Sequence, residues 1–212
     1  MANKKQKILV ATTNPGKMKE LSAMLEIKGS DPFICEWLSL ADFPNINEVE
    51  EDGQTFAENA RKKALGYAKQ TGLWTIADDS GLMVDALGGT PGVNSARFSG
   101  AKEKNRELLD HKNMAKLLDL LKDVPDENRT ARFVCSICLA EPGKVLIETQ
   151  GLLQGVIGRT QKGSNGFGYD PLFVVPASSK TVAQLSNEEK NQISHRANAI
   201  KNFNSLFAKL LL

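Results

Sequence analysis

The chain has 212 residues, 41% of them hydrophobic and 25% charged, close to the average for soluble globular proteins, so collagen-like, disordered and disulfide-scaffold classes fall away. Its 27 Lys+Arg and 25 Asp+Glu are interspersed, and the formal net charge of +2 leaves no footprint for nucleic acid or a membrane surface. No window approaches the ~18 uninterrupted apolar residues of a membrane span, and Ile8 to Thr12 is too short for a signal-peptide apolar region. A cytoplasmic protein, with residues 1–212 as one domain of two lobes, is therefore expected.

Ile8 to Thr12 reads as a buried strand ending in a turn. A helix follows: Asn14 suits the N-cap, Pro15 the first helical position, and Met18, Leu21, Met24 and Leu25 return at helical spacing until Gly29. Phe33 to Leu40 reads as a second strand and Phe43 to Gly53 as an acidic loop. Thr55 to Thr71 is a helix with the stripe Phe56, Ala60, Ala64 and Tyr67, and Gly72 is its stop. Trp74 to Ala77 is a third strand that runs into Asp78-Asp79-Ser80-Gly81.

After a turn-rich loop, Leu87 to Gly92, an amphipathic helix spans Glu103 to Leu121 with Leu117, Leu118 and Leu121 inward. Arg129 to Glu141 and Val145 to Gln150 form a hairpin across Pro142-Gly143, continued by a strand near Gly155 to Ile157. Gly163 to Gly168 is a second glycine-rich loop, Leu172 to Val175 a strand, and Ile193 to Leu212 the closing helix. Helices mixed with strands, some adjacent as hairpins, give a mixed α/β sheet. Cys135 and Cys138 fall within one strand, where positions i and i+3 face opposite ways about 10 Å apart, beyond the ~7 Å reach of a disulfide. Two core thiols are expected there.

Four clusters carry chemistry. Thr12-Thr13-Asn14-Pro15-Gly16-Lys17 joins a strand to a helix whose first N–H groups and lysine suit a phosphate, although an ordinary capped turn has the same composition. Glu51, Asp52, Asp78 and Asp79 form an acidic set. Adjacent acids in apolar context are costly unless a cation or donors neutralise them, and oxygen-only ligands suit Mg²⁺; the plain alternatives are an Asp-capped turn at Asp78 and a solvated loop at Glu51. Gly163 to Pro171 places glycines around Phe167 and Tyr169, an exposed stacking platform for a planar base. Ser194-His195-Arg196, with Lys190 before it, supplies donors or simply caps the last helix.

Together these clusters resemble one family: the inosine triphosphate pyrophosphatases, which hydrolyse non-standard purine nucleoside triphosphates. T-x-N-x-x-K is met by Thr12 to Lys17, E-x-G-x-T-F-x-E-N-A by Glu51 to Ala60, A-D-D-S-G-L by Ala77 to Leu82, G-G-x-P-G-x-x-S-A-R by Gly88 to Arg97, G-F-G-Y-D-P by Gly166 to Pro171 and S-H-R by Ser194 to Arg196. The resemblance runs from Ile8 to about Phe207.

The resemblance implies a long central mixed sheet with two lobes around a nucleotide cleft, a homodimer, and Mg²⁺-dependent cleavage of ITP, dITP or XTP to the monophosphate and pyrophosphate, with an alkaline optimum. Thr12 to Gly16 would bind the substrate, Lys17 and Lys63 would hold phosphates, Glu51 and Asp79 the metal, and Asp79 would act as general base on water. Asp78 would shape the acidic site. Ser80 and Lys190 would contact the nucleotide, Phe167, Gly168, Tyr169 and Asp170 would enclose the base, and His195 with Arg196 would read its edge. Arg196, His195 and backbone N–H groups of Gly166 to Tyr169 are donors, which suits a carbonyl at purine position 6 and disfavours adenine. A pyrophosphatase of modified pyrimidine triphosphates and a non-catalytic nucleotide sensor are the competing readings; the intact acids disfavour the sensor.

Overall fold

The computed structural model describes residues 5–24 and 35–211. Its strands are β1 (Gln6–Val10), β2 (Cys35–Ser39), β3 (Trp74–Val84), β4 (Thr130–Glu141), β5 (Lys144–Ile157), β6 (Phe173–Val175) and β7 (Lys180–Thr181); its helices are α1 (Pro15–Met24), α2 (Phe56–Thr71), α3 (Arg106–Leu120), α4 (Asn187–Ile193) and α5 (His195–Leu210). The strands form one seven-stranded sheet in the order β2-β1-β3-β4-β5-β6-β7. β1 runs parallel to β2 and β3, while β5, β6 and β7 are antiparallel neighbours, so the sheet is mixed, as expected. Leu25 and Gly29 of the expected first helix, and Phe33 of the second strand, lie outside the described residues.

The chain divides into two compact units: Met1–Asp79, Cys135–Gly151 and Arg196–Leu212 make the first, Ser80–Val134 and Leu152–His195 the second. In the first unit, strand alternation sorts side chains into two layers. Ile8, Val10, Ile76, Cys135, Ile137 and Leu139 pack with Leu21 of α1 and Ile200, Phe203 and Phe207 of α5. Their neighbours Leu9, Ala11, Ala77, Cys138 and Ala140 pack instead with Ala60, Ala64 and Tyr67 of α2. Cys135 and Cys138 are therefore free core thiols on opposite faces, and burial pushes both up to about 12.

Local signals explain the helix ends. Asn14 Oδ1 accepts from the N–H groups of Gly16 and Lys17, capping α1. Thr55 and Glu58 form a reciprocal capping box on α2, and Gly72 closes it at φ 72°, a conformation that needs glycine. In the second unit, Leu82, Val84, Leu117, Leu121, Phe133 and Phe173 form the core, with the Phe133 and Phe173 rings 4.3 Å apart. Removing one such side chain, as in Leu117→Ala, costs about 2–5 kcal/mol.

Three expectations need correction. β3 does not end before the acids but continues through Asp78 to Val84, because strands on both sides and the ion pairs below override the weak strand propensity of Asp. β5 is a single strand through Gly151 and Gly155; a Cβ at Gly155 would lie 2.4 Å from the Phe173 ring, so the glycine admits a neighbour rather than breaking the strand. Ile193 ends α4, a helix the sequence reading missed, and Ser194, extended at ψ 155°, separates it from α5.

Candidate active site

β1 ends at Val10, opposite Ile76 of β3, and β3 then carries Asp78 and Asp79 beyond that level. The turn from Thr12 to Gly16 follows β1, with Thr12 Oγ1 accepting from Asn14 N–H, Thr13 exposed and Pro15 opening α1. This brings Lys17, in the first turn of α1, to Asp78: its Nζ lies 3.1 Å from Asp78 Oδ2.

Adjacent residues on a strand point to opposite faces, and here that separates two carboxylates. Asp78 joins the α1 and α5 side, where Lys17 and Arg196 (3.2 Å) meet Oδ2 and Cys135 Sγ lies 3.9 Å away. Asp79 joins the α2 side, where Asn59 Nδ2 donates to its Oδ2 at 3.0 Å. The environments push the two acids apart. Burial alone raises Asp78, but Lys17, Arg196 and Lys63 outweigh it and hold the carboxyl well below the usual range. For Asp79 burial prevails over Lys63, Lys17 and the Asn59 hydrogen bond, Glu51 adds like charge, and its carboxyl is raised.

Lys63 is buried on α2 at the edge of the apolar stripe, and the structure supplies its reason. Its Nζ donates to the carbonyl of Asp78 at 2.6 Å and pairs with Glu51 at 2.9 Å. Burial works against its charge, yet Asp78, Asp79 and Glu51 keep its pKa raised. Glu51 and Asp79 thus share one lysine neighbour and present oxygen donors that suit a hard cation. Among the described residues no group of three or more His, Cys, Asp or Glu forms a metal cage. Two carboxylates fit an ion that keeps water and substrate phosphate in its remaining positions.

Arg196 is 1% exposed, and its guanidinium pairs with Glu20 of α1 and with Asp78, in the first unit. Glu20 escaped the sequence reading, although its i, i+3 spacing from Lys17 puts both on one face of α1. Asn59 escaped it too, although it lies inside the quoted E-N-A segment.

In the second unit, Phe167 is half-buried and Lys190 Nζ sits 4.8 Å over its ring. Lys190 also pairs with Asp170 Oδ2 at 2.8 Å, and that oxygen accepts from Phe167 N–H at 3.0 Å. Gly166 must be glycine here: φ is 80°, and a Cβ would lie 2.1 Å from Asp170 Oδ2. Tyr169 is no exposed platform. It is buried, and its hydroxyl donates to the Ser95 carbonyl at 2.9 Å. Backbone donors expected for the base are also engaged, Phe167 N–H by Asp170 and Gly168 N–H by Asp110. His195 lies ring to ring on Phe133 at 4.9 Å, and Ser80 is half-buried on β3.

Residues 8–206 match the family model described as the Ham1 family. A dITP/XTP pyrophosphatase of Desulforamulus reducens is 49% identical over 206 residues, covering 97% of this chain and 98% of that protein. One from Geobacter sulfurreducens is 50% identical over 92% of each chain. Among solved structures, the Ham1 protein of Staphylococcus aureus superposes with a TM-score of 0.83 at 38% identity, covering 96% of this chain and 99% of that one.

Proposed function

The chain belongs to the Ham1 family, and from that premise we propose that it is a nucleoside triphosphate pyrophosphatase that cleaves ITP, dITP and XTP between the α and β phosphates, giving the monophosphate and pyrophosphate. The observation that carries the reading is the division of two adjacent acids between opposite faces of one strand: Asp78 is held as an anion by Lys17 and Arg196, while Asp79 meets a neutral amide on the side where Lys63 pairs with Glu51. Paired acids set in environments this different mark sites of proton handling.

The proposed cofactor is Mg²⁺, held by Glu51 and Asp79, and when bound it offsets charge on the triphosphate oxygens. Lys17, held by Asp78, and Lys63, which gives up Glu51, bind phosphate oxygens, and the turn from Thr12 to Gly16 lines the substrate beside them. Asp79 orients a water and accepts its proton. Asp78 takes no proton; it fixes Lys17 and, through its carbonyl, Lys63. Arg196 acts as a positioning residue that keeps Asp78 in place. In the second unit, Phe167 stacks on the base, Asp170 and Lys190 hold that ring in place, and His195 donates to the carbonyl at purine position 6. Ser80 contacts the nucleotide.

Family membership also supports a homodimer acting on free nucleotides in the cytoplasm, which sedimentation of the purified protein tests for assembly. The function itself is tested by steady-state kinetics with Mg²⁺ on ITP, dITP, XTP, GTP and ATP. High kcat/KM for the first three is expected; equal turnover of ATP contradicts the reading.

A further inference from the structure

Asp110 lies on α3 in the second unit, is 7% exposed, and belongs to none of the sequence motifs. Its Oδ2 accepts from the N–H of Gly168 at 2.8 Å, and its Oδ1 pairs with Nε of Arg106, one turn earlier, at 3.0 Å. We propose that Asp110 is a positioning residue for base binding: through the Gly168 amide it fixes the backbone that presents Phe167, and so sets affinity for the purine ring. The inference rests on Phe167 being the stacking ring.

The segment from Gly166 to Asp170 is held at several places, its end by Lys190 on the Asp170 carboxylate and by Ala183 N–H on the Asp170 carbonyl. Phe167 N–H is tied to Asp170 within the same turn, the Tyr169 hydroxyl to the Ser95 carbonyl, and Gly168 N–H to Asp110. Of these anchors, Asp110 brings a charged acceptor from a helix. That helix is itself fastened one turn later, where Asn113 Oδ1 accepts from Ser99 N–H at 2.7 Å. Gly168 adopts φ 65°, a conformation that an unanchored glycine readily leaves. A buried carboxylate on a backbone N–H is a strong, directional restraint. Without it the Phe167 ring loses its fixed presentation, and binding weakens for every purine. The loop carries none of the carboxylates or lysines assigned to bond cleavage, so turnover at saturation changes little.

The test is steady-state kinetics with ITP and XTP on the wild type, Asp110→Ala, Asp110→Asn and Arg106→Ala. Asp110→Ala is expected to raise KM about tenfold for both substrates, the scale of a stacking contact, with kcat held within about threefold. Asp110→Asn still offers an acceptor to Gly168 and stays near wild type. Arg106→Ala removes only the ion pair and also stays near wild type. A purely structural role would instead lower kcat with the folded fraction and leave KM unmoved. Asp110→Ser, polar but too short to reach Gly168, repeats the test where the alanine variant is not recovered folded. An unchanged KM in a folded Asp110→Ala or Asp110→Ser variant overturns the inference, as does Asp110→Asn being as weak as Asp110→Ala. Wild-type turnover of ITP tests the function itself; only the ratio of variant to wild type tests Asp110.

Discussion

Asn59 donates from Nδ2 to Asp79 Oδ2 at 3.0 Å, and its own Oδ1 accepts from Gly53 N–H at 2.8 Å, two residues after Glu51. One buried amide therefore ties β3 to the loop that carries the other candidate metal ligand. The bond orients Asp79 without neutralising it, which a lysine or arginine in the same place would do.

Asp79→Asn is expected to cut kcat for ITP by about 10²–10⁴, the loss typical of an acid–base group. The fold survives, because burial disfavours the charge that Asn lacks. Turnover with circular dichroism as control checks this. Near-wild-type kcat in a folded variant removes Asp79 from the chemistry.

Arg196→Ala leaves Asp78 and Glu20 without their shared buried cation, a change that costs about 3–5 kcal/mol in unfolding free energy. Activity falls alike for ITP and ATP, since the guanidinium faces carboxylates of the first unit. His195→Ala, by contrast, narrows the ITP-to-ATP ratio of kcat/KM. A narrowed ratio in Arg196→Ala with none in His195→Ala would restore the arginine as the base reader.

Phe167→Ala removes the half-exposed ring and is expected to weaken binding by about 1–3 kcal/mol for ITP, XTP and GTP alike. Isothermal titration of the monophosphates measures this without turnover. Loss confined to one base would show that the ring selects rather than stacks.

The stability of the protein should fall steeply in acid. Asp78 has a folded pKa below its ordinary 3.8, so below pH 4 the unfolded chain takes up the proton first and the folded carboxylate does not. Its contribution is complete above that range and is lost as pH falls through the folded value. Urea midpoints between pH 7 and pH 2 should therefore drop, and Asp78→Asn should start lower but drop less. An acid limb of equal slope in the variant would remove Asp78 as its source.

Much of this was legible in the sequence because short-range rules decide it. The Asn14 cap, the Thr55 and Glu58 box, the Gly72 stop and the opposite faces of Cys135 and Cys138 all follow from spacing and backbone chemistry. What stayed hidden depends on partners distant in the chain. Asp78 and Asp79 looked like a strand end because Asp disfavours strands, and the flanking strands, with Lys17 and Arg196 on Asp78 and Asn59 on Asp79, make a strand through them stable. Tyr169 looked like a platform until Ser95 gave its hydroxyl a buried acceptor. Glu20 and Asp110 had local signals too weak to separate them from surface charge, since their roles exist only through Arg196 and Gly168.

The central claim is tested most directly by following the phosphorus products of ITP over time with Mg²⁺ present. Lysines that hold the departing phosphates and an Asp79 that activates water imply cleavage between the α and β phosphates. IMP and pyrophosphate should appear together in equal amounts from the first turnover, with no inorganic phosphate as a primary product. Early accumulation of IDP with inorganic phosphate, or stoichiometric binding of ITP with no product, would contradict the account.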